Sequence, residues 1–345
     1  MAGRVEVRNE MVYLSLGSRI LLNAEALNMV ESVGNFVRHR RAPIVLPTEN
    51  GYILRYVPVI SGESLAHAYQ EILAMIAGKL GLPVCRYCSQ GIFVKHSDDT
   101  ILKDEPWFKK GLSMYDLENN IVKNCIVEDI GGFMYAGKPP TRRTSRFYSG
   151  YAIPALDSII SSAVEAQFHV RYDPTSMERQ AIYNVEVGSA LYEFTFSLDI
   201  DGIGVSSYTG EEIVSKEERK KRIEVAIKAL GVMINSSLFG AKRTRFNPSW
   251  KIVSLAAVIS HPIPLSVQPP HSRKYIVETH ETLEKALDML SKGSASIGEK
   301  AVLIAYSGDD ESVEPKKGGR AEVKVVDNPV KVFDEVLTIV NELVG

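Results

Sequence analysis

Cysteine is scarce in these 345 residues: Cys85, Cys88 and Cys125 are the full complement. Three thiols cannot build the paired framework of a small secreted protein, which points to a reducing compartment. Also missing are any apolar run near the ~18 residues of a membrane helix and the basic-then-apolar layout of a signal peptide. A soluble cytoplasmic protein with no membrane partner is therefore expected. No Walker A loop, helix-opening G-x-G-x-x-G, H-E-x-x-H or G-x-S-x-G is present, so an NTPase or dinucleotide enzyme is not expected. Net charge is nearly absent too, at -2 with pI ≈ 6.4. A simple basic nucleic-acid coat, whose pI would exceed about 9, is disfavoured. What remains is a chain with 45% hydrophobic and 24% charged residues, long enough for one large elaborated domain or two ordinary ones.

A local absence says more than the global ones. No Asp or Glu occurs from Val225 to Val277, a stretch holding Lys228, Lys242, Arg243, Arg245, Lys251, Arg273 and Lys274. The same is true from Ile130 to Leu156, with Lys138, Arg142, Arg143 and Arg146. A third basic cluster, Arg38-His39-Arg40-Arg41, meets only Glu49 before Glu63. Charge segregated in this way can attract a polyanion locally while the whole stays near neutral.

Strands are expected over Arg19–Asn28 and Tyr52–Val57, the second after the turn Asn50-Gly51. Ser61 is a suitable N-cap for a helix that carries Leu65, Ala68, Tyr69, Ile72 and Met75 at helical spacing and stops at Gly78. Residues 79–150 read as an irregular, loop-bearing insertion. Two strands, Ala181–Val187 and Ala190–Asp199, follow a hairpin with its tip at Asp173-Pro174. Then come an amphipathic helix over Lys216–Asn235 and a buried strand over Ile252–Ile259. Last are a helix (Glu278–Leu290), strands Ala301–Tyr306 and Glu322–Val326, and a helix (Val330–Leu343). This order fits an α+β fold: a modified RNA-recognition-motif (ferredoxin-like) core with long insertions. A single elaborated domain over 1–345 is expected, its core at about 19–78, 181–260 and 278–345.

Several residues invite chemistry. Cys85 and Cys88 have metal-knuckle spacing that His96 and Cys125 could complete, but no second close pair exists. They are read as ordinary thiols, with no metal or cofactor expected. His169, in Gln167-Phe-His-Val-Arg171 beside the hairpin, could activate a ribose 2′-hydroxyl in a ribonuclease. A strand histidine that packs or contacts RNA is the favoured reading, and His67 has similar standing. Ser61 and Gly62 at an exposed helix N-terminus would offer N–H groups to a phosphate. In Gly131–Arg146 and Phe239–Pro248, basic residues alternate with aromatics, hydroxyls and glycines. Such loops can bind phosphates, stack on bases and let a strand approach, which is a single-stranded RNA-binding composition.

Longer runs carry a resemblance. Val30–Asn35 leading to His39–Pro43, Tyr56–Gln70, Asp129–Gly137 with Arg142–Arg146, Glu165–Arg171, Gln180–Val187 and Phe239–Phe246 occur in the order found in the archaeal subtype I-A CRISPR Cascade backbone family. That DevR-like family lies within the RAMP superfamily, and the chain resembles it from about Arg19 to Leu255. The resemblance implies a crescent-shaped protein with a modified RNA-recognition-motif palm that does not cut RNA. Copies would stack head to tail on the CRISPR guide RNA as a helical filament, beside other Cascade subunits, presenting bases to a target DNA strand. By motif, Asn35, Arg38, His39, Arg40, Arg41, Ser61, Gly62 and His67 would face the RNA. The runs at Lys138, Arg142, Arg143 and Arg146 and at Lys242, Arg243 and Arg245 would line one groove. A thumb hairpin over about 170–182, with Met177 near its tip, Gln180 on its return and His169 and Arg171 at its root, would reach toward the neighbour. The competing reading is a metal-independent endoribonuclease of the same superfamily that processes CRISPR transcripts.

Overall fold

The computed structural model describes residues 11–172, 174–175, 181–293 and 299–344. Asp173, Met177 and Gln180, and with them much of the expected thumb, lie outside these residues. Strand β1 (Tyr13–Glu25) turns Leu14, Leu16, Ile20 and Leu22 to one buried face. It begins well before Arg19 because Arg19 is an interior residue. Its guanidinium donates to the Pro270 carbonyl and pairs with Asp157 and Asp310, each at 3.0 Å. Two hairpins follow, β2 (Met29–Val33) with β3 (Phe36–His39) and β4 (Arg41–Thr48) with β5 (Gly51–Pro58). Helix α1 (Gly62–Lys79) is capped as expected, the Ser61 hydroxyl accepting from the Ser64 N–H at 3.3 Å.

Residues 79–150 hold more structure than loops. Helices α2 (Asp99–Leu102), α3 (Met114–Asn124) and α4 (Ile126–Gly131) precede the hairpin β6 (Phe133–Tyr135) and β7 (Thr141–Arg143), then β8 (Phe147–Ser149). Leu117, Ile121, Val122, Ile126, Val127 and Ile130 are fully or almost fully buried, and burying them drives these short helices onto the rest of the molecule.

Next come β9 (Ile153–Pro154), β10 (Ala163–Arg171) and β11 (Ala181–Asp199). The two strands expected over 181–199 are thus one strand of 19 residues. Gly188 marks no turn between them. A Cβ there would lie 2.6 Å from the Glu25 carboxylate and 3.2 Å from the His39 ring, so glycine lets β11 run past a buried pair. The chain ends with α5 (Lys216–Asn235), α6 (Arg243–Phe246), β12 (Ser249–His261), α7 (Tyr275–Leu290), β13 (Lys300–Tyr306), β14 (Ala321–Val325) and α8 (Pro329–Val344).

The main sheet runs β14-β13-β12-β1-β11-β3-β2, with β8, β9 and β10 on the other edge of β11. It is mixed: β1 pairs antiparallel with both β11 and β12, and β10 antiparallel with β11, while β13 with β14 and β11 with β3 are parallel. Period-two alternation in β12 splits its side chains between two cores. Leu255, Ala257 and Ile259 join α1, α5 and α8 on one face, while Ala256 and Val258 join Tyr275, Ile276 and Leu283 of α7 on the other. Among the described residues, no helix is long and apolar enough to cross a membrane.

Candidate nucleic-acid interface

At the Tyr183 end of β11, the loop before β12 folds back onto the end of β1. Gly240 has φ +81°, and a Cβ there would meet the Leu27 carbonyl oxygen at 2.8 Å. Only glycine fits, and the Ala241 N–H donates to the same carbonyl at 2.7 Å. The loop thus presents Lys242, Arg243, Arg245 and Phe246 beside the root of β10 and β11. Arg245 donates to the Tyr183 hydroxyl at 3.1 Å. The His169 ring stacks on Tyr183 with centroids 5.2 Å apart and meets the edge of Phe246 at 5.6 Å. A hollow of ≈ 140 Å³ there is lined by Val37, Tyr183, Lys242, Arg245 and Phe246, among others, and, among the described residues, by no carboxylate. Partial burial, then the charge of Arg245, lowers the pKa of Lys242. Arg171 is exposed on the same hairpin.

A larger open cleft, ≈ 630 Å³, adjoins this patch. Ser64, His67, Glu71 and Met75 of α1 form one wall, and Phe239 and Arg243 belong to the other. The structure therefore brings His67 and Arg243 together. His67 contacts Glu71 at 3.3 Å and Phe93 edge-on at 4.9 Å.

The run at 38–41 divides. Asn35 and Arg38 are exposed, with the Arg38 guanidinium 5.8 Å from the Phe36 ring centre. Arg40 is half-buried, and its Nε has no hydrogen-bond partner among the described residues. Arg41 pairs with Glu186 at 2.8 Å. His39 is corrected from RNA contact to core residue: it is buried, with its ring on Glu25 and the Arg40 carbonyl. The expected phosphate site at the start of α1 is likewise closed. Ser61 and Gly62 are buried, the Ser61 N–H donates to Asn28, and a Cβ on Gly62 would lie 2.7 Å from the Ser149 carbonyl. Glu63 already occupies the helix N-terminus. A hydrogen bond from its own N–H, then Ser61 and the charge of Arg40, hold its carboxyl below the usual range against slight desolvation.

The third run lies elsewhere. Lys138 and Arg142 are exposed and make no ion pair among the described residues. Arg146 is held by Asp199 at 3.1 Å. Arg143, expected in the groove, is buried: it bonds Glu118 at 2.9 Å, Asp129 at 2.5 Å and the carbonyls of Val205 and Gly202. The two basic loops expected to line one groove lie at opposite ends of β11. Arg146 sits at residue 199 of β11 and Arg245 at residue 183, an extended length of roughly 50 Å. The basic groups follow the long strand, with the α1 start between them.

The family model for the "CRISPR-associated negative auto-regulator DevR/Csa2" matches residues 16–280. The chain belongs to the DevR/Csa2 family. Among DevR/Csa2 relatives, it is 44% identical over 327 residues to the "CRISPR-associated aCascade subunit Cas7/Csa2 2" of Saccharolobus solfataricus, covering 92% of this chain and 98% of that protein. It is 37% identical to "CRISPR-associated protein Cas7/Csa2 1" of the same organism, over 84% of this chain and 91% of the other. A chain of a "CRISPR RNA-guided surveillance complex" superposes with a TM-score of 0.52 at 10% identity, over 95% of this chain and 99% of that one, a likeness of fold. The family expected from the motif runs is thus found. Phe246 belongs to the basic loop whose aromatics the sequence marks for stacking, whereas nothing in the DevR/Csa2 sequence singles out Tyr183 or Phe93. Only the fold brings Tyr183 to Arg245 and His169, and Phe93 to His67 in the α1 cleft. Glu128 was missed as well, and it gathers with all three cysteines.

Proposed function

We propose that this chain is a non-catalytic guide-RNA-binding backbone subunit of a Cascade-type surveillance complex, working in the cytoplasm. The observation that carries the reading is the patch of Lys242, Arg245, Tyr183, His169 and Phe246 beside the α1 cleft, whose hollow has no carboxylate among the described residues. Cations there would hold phosphates and the rings would stack on bases, so the grip would be on the strand and not on a base sequence. Arg38, Arg40, Lys138 and Arg142 would extend it along β11. The antiparallel order β12-β1-β11-β10, with α1 and α5 on one face, supports an RNA-recognition-motif palm, to which residues 79–150 add an insertion and about 170–182 a thumb.

The names of the relatives and of the fold neighbour support a place among other Cascade subunits. Copies would stack along the guide and leave its bases to pair with target DNA. The β4–β5 hairpin leaves Tyr52, Ile53 and Leu54 exposed at its tip, apolar surface that a neighbouring copy would cover. The endoribonuclease reading has less support: among the described residues the buried Nε2 of His169 has no hydrogen-bond partner, and the ring is placed by Tyr183 and Phe246 and by no carboxylate.

The test is a titration of single-stranded RNA at 50 and 200 mM salt, wild type against Arg38→Ala/Lys242→Ala/Arg243→Ala/Arg245→Ala. A strand held through about six phosphates should lose on the order of 10²–10³ in affinity over that range. The variant should bind weakly at both salts. Equal affinity of variant and wild type would defeat the proposal.

A further inference from the structure

The insertion gathers a donor set that the RNA-binding reading leaves unused. Cys85, Cys88 and Cys125 are buried and unpaired, and their sulfurs lie with a Glu128 carboxylate oxygen within 4.8 Å of one another. Cys85 and Cys88 flank a tight turn in which the Cys88 N–H donates to the Cys85 sulfur and the Ser89 N–H to the Cys85 carbonyl. Gly91, at φ +72°, ends the following short turn by donating to the Cys88 carbonyl. Cys125 sits where α3 gives way to α4, and the Ile126 N–H donates to the Pro83 carbonyl at 2.9 Å. Two separate stretches of backbone are therefore tied together at the point where the sulfurs meet.

Apolar packing would not select this arrangement. A fully buried carboxylate against three thiols is costly unless a cation or several donors meet it. Glu128 receives the His96 N–H at 3.0 Å, and the His96 Nδ1 lies 2.6 Å from its other oxygen. His96 is in turn held at Nε2 by Glu105 at 3.1 Å. A ligating carboxylate braced by a histidine, itself braced by a second carboxylate, is how the surroundings of a metal site fix its ligands. Three sulfurs and one oxygen suit a tetrahedral ion with metal–sulfur bonds near 2.3 Å, which sets the sulfurs roughly 3.8 Å apart. Thiolates exclude magnesium and calcium as the preferred occupant. An open cleft of ≈ 540 Å³ reaches Cys88, which gives an ion a way in.

We propose that Cys85, Cys88, Cys125 and Glu128 bind a structural zinc ion, with His96 as the positioning residue behind Glu128. The ion would staple the 85–96 stretch to α4. That stretch carries Phe93, which contacts His67 in the α1 cleft, so the staple also steadies one wall of the candidate RNA site. The metal site itself does not depend on the RNA-binding reading.

The test is metal analysis of the full chain purified under reducing conditions without chelator, with Co²⁺ as a spectroscopic probe. About one zinc per chain is expected, and Co²⁺ should give a thiolate charge-transfer band with intense tetrahedral d–d bands. Cys125→Ser should abolish the wild-type cobalt spectrum, Glu128→Gln should change its d–d bands, and His96→Gln should weaken zinc retention about 10–100-fold. The wild-type spectrum decides the matter even where a cysteine variant does not fold. Reduced wild type with neither zinc nor a cobalt charge-transfer band would overturn the site, as would a Cys85–Cys88 disulfide in protein purified without air. An unchanged cobalt spectrum in Glu128→Gln would overturn the fourth ligand.

Discussion

The imidazole of His39 and the carboxylate of Glu25 meet at 2.5 Å inside the protein, both fully shielded from water, where Gly188 lets β11 pass. The other ring nitrogen of His39 lies 2.8 Å from the Arg40 carbonyl, so both nitrogens face acceptors. With Glu25 ionised, as its lowered pKa favours, only the doubly protonated ring satisfies both. Tyr192 and the Leu27 N–H complete the shell of Glu25.

This pair predicts a pH-dependent stability. Burial disfavours both charges, but their hydrogen bond and mutual attraction prevail, raising the pKa of His39 and lowering that of Glu25. The His39 contribution is complete below its ordinary value of 6.5 and is lost as pH rises through the raised value. The Glu25 contribution is present above 4.5 and is lost as pH falls through the lowered value. The pair therefore stabilises most between these limits. Thermal midpoints from about pH 6 to pH 9 should fall more steeply in the wild type than in His39→Gln; parallel curves would refute the charged pair.

Adjacent arginines should behave oppositely. Arg143→Ala leaves Glu118 and part of Asp129 as buried charges without their partner, and should cost about 3–5 kcal/mol in denaturant unfolding. Arg142→Ala should change stability by less than about 0.5 kcal/mol yet weaken RNA binding. A loss of RNA affinity in folded Arg143→Ala equal to that in Arg142→Ala would contradict this division.

Gly240→Ala isolates the loop. The residue would sit at φ +81° with its Cβ against the Leu27 backbone, which cannot yield as a side chain could. The left-handed conformation alone costs about 1–2 kcal/mol. The loop should shift to escape the clash, so RNA affinity should drop while the melting midpoint moves little. A large stability loss with unchanged affinity per folded molecule would show that the loop does not hold RNA.

The long periodic elements were legible from sequence: α5 was expected over its observed range, and α1, β13, β14 and α8 to within about a residue or two. What was not legible is parity in short polar strands. In β7, Thr141, Arg142 and Arg143 are all polar, so no hydrophobic pattern tells which of two arginines points inward. The deciding partners, Glu118 and Asp129, lie on α3 and α4, helices too short to stand out. His39 is the same case in β3, with its partner on β1. Gly188 looked like a break because a glycine between two strand-like runs is more often a turn than a concession to a buried ion pair. The closed start of α1 was hidden for another reason: a cap residue can be read from sequence, but the loop that covers it cannot.

The aromatic root of β10 and β11 separates the two functional readings. If His169, Tyr183 and Phe246 form a stacking surface, Phe246→Ala should weaken single-stranded RNA binding by about 1–3 kcal/mol, and His169→Ala by a similar amount. Both losses should persist at high salt, since stacking is screened less than phosphate contact. If His169 were a general base, its substitution would instead remove turnover and leave affinity nearly intact. Incubating CRISPR repeat RNA with the pure protein decides between them. Intact RNA, with weakened binding in both variants, is expected of a guide-holding subunit. Cleavage that vanishes in His169→Ala would establish the ribonuclease in its place.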